Sequence, residues 1–514
     1  MGLRGACALA WAVELFWVQA QAFPAVPWVR YPLLFQTVRF VLDLSVAVMI
    51  LALLRRRFVT PFLVLNALFL MGVGAYSSYF YRPLMPASII SQWSEGMSIT
   101  THLSELIPLR LFGVVAMGFV VKLLLLIASG SLPVWRAIRW WGTGVGLALY
   151  IGLVAVMQFT SSRLDPKGDM GRVVYAYGYV LPWIADAIGV VGLGAVAERA
   201  SAYASAHHYD RLTSLEKPLK IMSSILVLQL ETIGTRAVFA THEGQPIMPF
   251  LKGLTEQALY FRIQAFHVNG SCDMDYAATT FIEPYPGSSP YRLPLVTATN
   301  SMPTFMKRYG YRTFVLHGNT QIFYHRGPAM ERMGFDKILF KEQLASQRLE
   351  SSILGVRDAA LFRCVADILR TQKRAYVFAI TLDTHAPFTS ILSQEQELFS
   401  LPASPAERYL NSARYLDRCL TELMATIPIG TTVLLYGDHT ASLKEDVFES
   451  DVKLGREYVP CLIYQKGSDL SLQQATRGQA IATNGTLNLL DVLAYLRASI
   501  AVSMTNAVSN KANQ

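Results

Sequence analysis

Apolar positions along this chain fall into two textures, and the change comes near residue 220. Before it, long apolar runs are broken only by short polar loops. Phe35–Leu54, Val59–Tyr79, Leu109–Ser129 and Trp140–Phe159 each have the length and purity of a membrane-crossing helix. Gly5–Ala22 is shorter and carries Glu14. A leader cleaved at Ala20-Gln-Ala22 is one reading, but an acidic residue in the apolar core is unusual there, so a fifth span is expected. Val173–Val196 is interrupted by Gly178, Pro182 and Asp186, and is expected to lie along the interface rather than cross it. Glu198–Lys220 follows as a charged amphipathic connector with Pro218 at its end.

Beyond Ile221, short β-branched and aromatic runs alternate with helical periodicity. The expected strands are Ile225–Leu230, Tyr311–Leu316, Tyr376–Leu382, Thr432–Tyr436 and Cys461–Gln465. The expected helices are Pro249–Leu259, Ser301–Arg308, Gly355–Gln372, Pro405–Thr426 and Gly485–Ala498. That alternation predicts an α/β domain with a mostly parallel central sheet, placed after an α-helical membrane region. The boundaries are a five-helix membrane region over 1–160, a connector over 161–220, a catalytic domain over 221–502 and a disordered polar tail over 503–514.

Composition sharpens this picture. Of 514 residues, 52% are hydrophobic, and the excess lies in the first part of the chain. The net charge of +9 fits a positive-inside bias. Arg55-Arg-Arg57, Arg136 and Arg139 mark cytoplasmic loops, so the chain leaves its fifth helix on the outer face. Lys122 is expected to snorkel from its helix end. No basic and aromatic cluster points to nucleic acid. Cys7, Cys272, Cys364, Cys419 and Cys461 form no metal-binding pair pattern; an oxidising compartment could join two of the last four.

Candidate chemistry collects at strand ends. Glu231 closes the first strand, His385 follows the third, and Asp438 and His439 follow the fourth. Ligands of open α/β sheets bind beyond the carboxyl ends of strands, so these side chains are expected at one site. Asn269-Gly-Ser-Cys-Asp-Met-Asp-Tyr276 is a polar turn able to open a helix at Ser271, where backbone N–H groups hold phosphate oxygens. Glu, Asp and His with a hydroxyl suit one divalent cation, manganese first, zinc or magnesium next. Such a cation lowers the pKa of a serine hydroxyl and makes it a nucleophile.

The pieces Gln229-Leu-Glu-Thr232, Gly270-Ser-Cys-Asp-Met-Asp-Tyr276, His317-Gly-Asn319, Phe323-Tyr-His-Arg326, Met333-Gly-Phe-Asp-Lys337, Asp383-Thr-His-Ala-Pro-Phe388 and Tyr436-Gly-Asp-His439 occur in that order. With them, residues 220–500 resemble the sulfatase-like, alkaline-phosphatase-superfamily domain of lipoteichoic acid synthases and related phosphoglycerol transferases. The resemblance implies that Glu231, Ser271, Asp438 and His439 hold the metal and that Ser271 carries a phosphoglycerol intermediate. It implies that Arg326, Tyr324 and His385 hold the substrate, and that His385 protonates the leaving group. Ser271 stands where the family has Thr, and Cys272 beside it is the competing nucleophile; register with Asp273 and Asp275 favours Ser271. Thr483–Leu490 stands where the family carries an Asp. The Cys/Ser-x-Pro-x-Arg signature of sulfate ester hydrolysis is missing. His207 and His208 read as solvated, and neither His267, His317 nor His325 earns a role.

The expected activity is transfer of a phosphoglycerol head group from phosphatidylglycerol to a glycan, lipopolysaccharide or glycerol-phosphate polymer, at the outer face of a bacterial inner membrane. The alternatives are a phosphoethanolamine transferase of the same superfamily, a phosphodiesterase-type hydrolase, and a silent lipid- or glycan-binding membrane protein. The lack of His over 440–460 argues against the first of these.

Overall fold

The computed structural model describes residues 2–20, 32–53, 56–80, 109–128, 193–207, 218–221, 223–267, 269–285, 289–292, 300–345, 349–352, 354–441, 458–470 and 487–512, with isolated positions between them. It divides into two compact units, Met1–Leu193 and Gly194–Gln514.

The first unit contains helices α1 (Gly2–Ala20), α2 (Pro32–Leu53), α3 (Val59–Phe80) and α4 (Leu109–Ala128). Among the described residues, α3 and α4 are long and apolar enough to cross a membrane. α1 and α2 bury the charged side chains of Glu14, Arg39 and Asp43. Lys122 does not snorkel. It is buried in the bundle and paired with Glu14 of α1. Gly118, one turn earlier on α4, leaves the space that the Glu14 carboxylate fills. Most of the expected span Trp140–Phe159 and most of Val173–Val196 lie outside the described residues.

The second unit opens with α5 (Leu193–Ala206). The strands of its main sheet are β1 (Ile225–Leu230), β2 (Leu259–Gln264), β3 (Arg312–His317), β4 (Lys337–Leu339), β5 (Ala375–Ile380), β6 (Thr432–Gly437) and β7 (Tyr458–Gln465). They form one seven-stranded sheet in the order β2-β7-β6-β1-β5-β3-β4. β6, β1, β5, β3 and β4 run parallel. β7 is antiparallel to both β6 and β2.

The longer helices are α6 (Pro249–Gln257), α7 (Cys272–Thr280), α8 (Met302–Arg308), α9 (Arg326–Arg332), α10 (Asp358–Thr371), α11 (Pro405–Thr426) and α12 (Leu489–Ala512). Side-chain alternation sends Val227, Phe378 and Tyr436 to one face, under α7, α8, α9 and α12. Leu226, Leu228, Val377 and Leu435 go to the other, under α6, α10 and α11. Both faces are covered, which is why β1, β5 and β6 are apolar throughout rather than alternating.

Two further expectations are corrected. The helix read as Pro249–Leu259 stops at Gln257, and Leu259 starts a strand with alternating burial. The tail read as disordered from Ser503 is helical to Ala512. Ser503 Oγ accepts from the Ile221 backbone N–H and donates to the Leu219 carbonyl, which ties that helix to the start of the domain. No cysteine is paired; Cys272, Cys419 and Cys461 are each buried as free thiols.

Candidate active site

β1, β5 and β6 are adjacent and parallel, so their carboxyl ends open onto one edge of the sheet. Glu231 follows β1. Its N–H donates to Thr381 Oγ1 at 2.8 Å, and its carbonyl accepts from Thr384 Oγ1 at 2.5 Å. Asp438 follows β6, and its Oδ1 accepts from the N–H groups of Thr232 and His439, both at 2.7 Å. These bonds fix the two carboxylates without neutralising them.

One oxygen, Glu231 Oε1, sits at the centre. It accepts from Thr232 Oγ1 at 2.9 Å and lies 3.2 Å from His439 Nε2 and 3.4 Å from Ser271 Oγ. One ligand atom each from Glu231, Asp438 and His439 fall within 4.8 Å of one another. Asp438 Oδ2 is buried and has no hydrogen-bond partner. His439 Nδ1 lies 2.9 Å from the Thr440 carbonyl, so that nitrogen carries the hydrogen. In the neutral ring Nε2 then presents a lone pair to carboxylate oxygens. A cation among them resolves that conflict, and the donor set is one a divalent ion accepts.

The electrostatics agree. Burial raises the Glu231 carboxyl, but positive charge on its imidazole neighbours, a protonated His439 donating through Nε2 and the nearby His385, holds it well below the usual range. Burial and the Glu231 charge push Asp438 well above its usual value. Two carboxylates this close cannot both ionise without a positive partner.

Ser271 is set by its backbone. Gly270 has φ +123°, and a Cβ there would collide with the Tyr324 hydroxyl. The next residue therefore leads directly into α7. Gln229 Nε2, from β1, donates to the Ser271 carbonyl at 3.3 Å, and Tyr436 Oη, from β6, donates to Gln229 Oε1 at 3.0 Å. Cys272 faces the interior, its Sγ 3.6 Å from Ser289 Oγ. Burial, with Asp273 and Asp275 beside it, pushes that thiol well up, so it stays protonated.

A second cluster forms around Arg326 at the start of α9. Its Nε donates to Asp275 Oδ2 at 2.6 Å, and Asp275 lies one turn along the helix that Ser271 opens. Nη1 is 3.3 Å from His317 Nε2, and the guanidinium lies 5.2 Å from the Tyr324 ring centroid. Nη2 is buried with no hydrogen-bond partner. His317 Nδ1 donates to the Ile380 carbonyl at 3.1 Å, which leaves Nε2 as the acceptor for Arg326. Burial and Arg326 push the His317 pKa down to about 3, so the ring is neutral. Burial raises Asp275 to about 6 against the pull of Arg326.

His385 ends the turn after β5, its Nδ1 2.6 Å from the Ala386 carbonyl. That turn is interlocked with α10. Asp383 Oδ2 accepts from the Asp358 N–H at 2.9 Å, and the Asp358 carboxylate accepts from Leu382 and Asp383 N–H at 2.8 and 3.0 Å.

Glu231, Ser271, Asp438 and His439 thus meet in one cluster and Arg326 with Tyr324 in another, while His385 is near enough to act on the Glu231 charge. Sequence reasoning passed over Gln229, Asp275 and His317, although each stood inside a quoted piece. It also dismissed His267, whose ring stacks on His439 at 3.9 Å and 4°.

Comparison with known proteins adds three observations. The sulfatase family profile matches residues 223–491. Lipoteichoic acid synthases of Staphylococcus saprophyticus and Staphylococcus aureus are 26% identical over 254 residues and 25% identical over 253, in each case 46% of this chain and 39% of the relative. The match therefore takes in about two fifths of those relatives' own length. The integral membrane lipooligosaccharide phosphoethanolamine transferase A of Neisseria meningitidis superposes with a TM-score of 0.58 at 12% identity, over 97% of this chain and 95% of that one. At that identity the likeness is one of fold, and it extends over the helical region as well as the sheet.

Proposed function

The chain belongs to the sulfatase family, within the alkaline phosphatase superfamily, and on that premise we propose that it transfers a phosphoglycerol head group from phosphatidylglycerol to a glycan or polymer acceptor. Residues 221–502 act at the outer face of a bacterial inner membrane, carried by a multi-pass helical region. The observation that carries this reading is the Ser271 hydroxyl 3.4 Å from Glu231 Oε1, inside a carboxylate and imidazole cluster suited to a cation.

A divalent cation held by Glu231, Asp438, His439 and the Ser271 hydroxyl, manganese before zinc or magnesium, would supply a lowered hydroxyl pKa and positive charge beside the phosphate. The remaining work falls to this chain's own residues. The Ser271 hydroxyl gives its proton to water and its oxygen bonds to phosphorus as the bond to the diacylglycerol oxygen breaks; in the second half-reaction the acceptor oxygen bonds to phosphorus as the Ser271 oxygen leaves and is reprotonated. Arg326 directs its unpartnered Nη2 at a phosphate oxygen, held in orientation by Asp275 and His317. Tyr324 packs against the guanidinium and the glycerol. His385 gives a proton to the departing diacylglycerol oxygen and takes one from the acceptor hydroxyl in the second half-reaction. A covalent intermediate of this kind produces ping-pong kinetics.

The test supplies purified full-length protein with labelled phosphatidylglycerol or phosphatidylethanolamine, with and without a glycan or glycerol-phosphate acceptor, with manganese, magnesium, zinc or chelator, beside Ser271→Ala. Diacylglycerol released only from phosphatidylglycerol, only with metal and not by the variant, is the expected result. Release from phosphatidylethanolamine moves the assignment to that transferase. Release without any acceptor dependence makes the protein a hydrolase, and no release with no bound metal makes it a silent binder. Reporter fusions at Lys220 check the outer location.

A further inference from the structure

The helix through which the chain enters the catalytic unit, α5, ends against the segment that follows α7. Tyr203 Oη donates to Glu283 Oε1 at 2.8 Å. The Glu283 N–H returns to the His207 carbonyl at 3.3 Å. The Tyr203 ring stacks on His207 at 3.8 Å and meets Tyr285 edge-on at 5.6 Å. Two residues beyond Glu283, the Tyr285 carbonyl accepts from Asn269 Nδ2 at 2.9 Å. Asn269 uses its other amide hydrogen on Asp273 Oδ1 at 2.9 Å, and its backbone N–H on Asp273 Oδ2 at 2.7 Å. Asn269 and Asp273 bracket Ser271. The amide of Asn269 thus has both hydrogens committed, one to the clamp around the nucleophile and one to a carbonyl whose segment α5 holds in place.

We propose that Tyr203 is a positioning residue for Ser271, acting through Glu283, Tyr285 and Asn269, so that docking of the entry helix sets the nucleophile turn. This rests on the reading of Ser271 as the nucleophile. Neither Tyr203 nor Asn269 touches the reacting atoms. Their effect is on where the Ser271 oxygen sits relative to Glu231, and small displacements of a nucleophile lower turnover steeply.

The experiment uses full-length protein carrying Tyr203→Phe, which keeps the ring contacts and removes only the hydroxyl. Glu283→Gln serves as a second variant on the same bond. Diacylglycerol release should fall about tenfold in kcat with KM for phosphatidylglycerol unchanged. Hydrogen exchange in a peptide covering 269–276 should rise, while exchange in β1 stays as in the wild type. Combining Tyr203→Phe with Asn269→Ser should give less than the product of the single effects, because both act on one path. Unchanged kcat and unchanged exchange at 269–276 in both single variants overturn the proposal, as does strict multiplicativity in the double variant. If the wild type releases no diacylglycerol, the reading of function fails; the exchange measurement then still decides whether Tyr203 holds the turn.

Discussion

In the Arg326 cluster every charge meets its opposite, whereas in the Glu231 cluster two carboxylates face one imidazole. Asp275 takes the guanidinium Nε, neutral His317 takes Nη1, and Tyr324 covers the face. That cluster leaves one donor, Arg326 Nη2, and one carboxylate oxygen, Asp275 Oδ1, without a hydrogen-bond partner. The Glu231 cluster has the same burial but an excess of acceptors, with Asp438 Oδ2 left without a donor. The first balances its charge within an ion pair and offers one free donor, Nη2. The second is assembled for a cation, and without one its groups repel. Similar burial therefore leads to opposite responses when charge is removed.

The largest expected effects break the comparison at Asp438. Asp438→Asn removes a carboxylate while Oδ1 keeps its two N–H donors. Diacylglycerol release should fall by at least about 10³-fold, the scale of losing a core catalytic group. Adding manganese at a hundredfold over its Kd should stabilise the wild type by about 2.7 kcal/mol and leave the variant unmoved. Metal-free, the variant should be more stable than the wild type by about 1 kcal/mol, because a buried like-charge contact is gone. A metal-free melting temperature below that of the wild type would mean that Asp438 is an ordinary satisfied carboxylate.

The mirror experiment is at Asp275. Asp275→Leu leaves the Arg326 guanidinium buried without its counter-charge and should cost about 3–5 kcal/mol of stability. Joining Arg326→Met to it should restore most of that loss, because an apolar pair of similar volume can replace a buried ion pair. Turnover should stay lost in the double variant. Thermal melts beside donor turnover check both statements. Recovery of stability without recovery of turnover separates the pair's structural part from the work of Nη2.

How far the sequence alone could reach follows from the same physics. β1, β5 and β6 were legible because strands buried on both faces are uninterrupted apolar runs, and the carboxylates closing them stand out. β2 was not, because its burial alternates and its first residue continues the pattern of α6. The opening of β7 was hidden by Pro460, which β-propensity rejects, yet Pro460 sits in the antiparallel pairing with Arg262 of β2. In the first unit, Lys122 read as a snorkelling residue because its partner, Glu14, is more than 100 residues away in the chain. His267 escaped notice for the same reason, since the His439 ring it stacks on is far along the chain, and the Ile380 carbonyl that fixes the His317 tautomer is 63 residues away. The tail looked disordered by polarity, but Ser503 has a specific backbone partner that composition does not report.

A smaller effect sharpens the contrast through pH. His317 is neutral in the fold, with a pKa of about 3 against an ordinary 6.5. Below pH 6.5 the unfolded chain takes up a proton there that the folded chain refuses. The stability this provides is complete above pH 6.5 and is lost as pH falls towards 3, by up to about 1.4 kcal/mol per pH unit. Asp275 has the opposite sign. Its carboxyl, raised to about 6 from 3.8, stays protonated longer in the fold, so its burial costs stability as pH rises through that window. His317→Gln keeps an acceptor for Arg326 and a donor for Ile380 without titrating. The wild type should lose stability relative to this variant from pH 6.5 downward, in denaturant titrations at fixed salt. Parallel profiles would show that His317 is charged in the fold, and the Arg326 cluster would then not be closed.

The smallest expected effect concerns the residue beside the nucleophile. Cys272 and Ser271 are neighbours, and either side chain has nucleophilic chemistry, so adjacency alone does not choose. Their surroundings do. Ser271 Oγ points to Glu231 Oε1, whereas the Cys272 thiol is fully buried on the other side of the helix start, near Ser289. Burial and two carboxylates keep it protonated, and a protonated thiol is a poor nucleophile. Cys272→Ala should therefore change kcat for diacylglycerol release by no more than about twofold, since the group is a small buried apolar filler. It should cost about 1 kcal/mol of stability for the sulfur volume removed. An alkylating reagent that blocks accessible thiols should leave wild-type turnover intact. If Cys272→Ala abolished turnover while Ser271→Ala retained it, the nucleophile would be the thiol, and the Glu231 cluster would need another hydroxyl to act on.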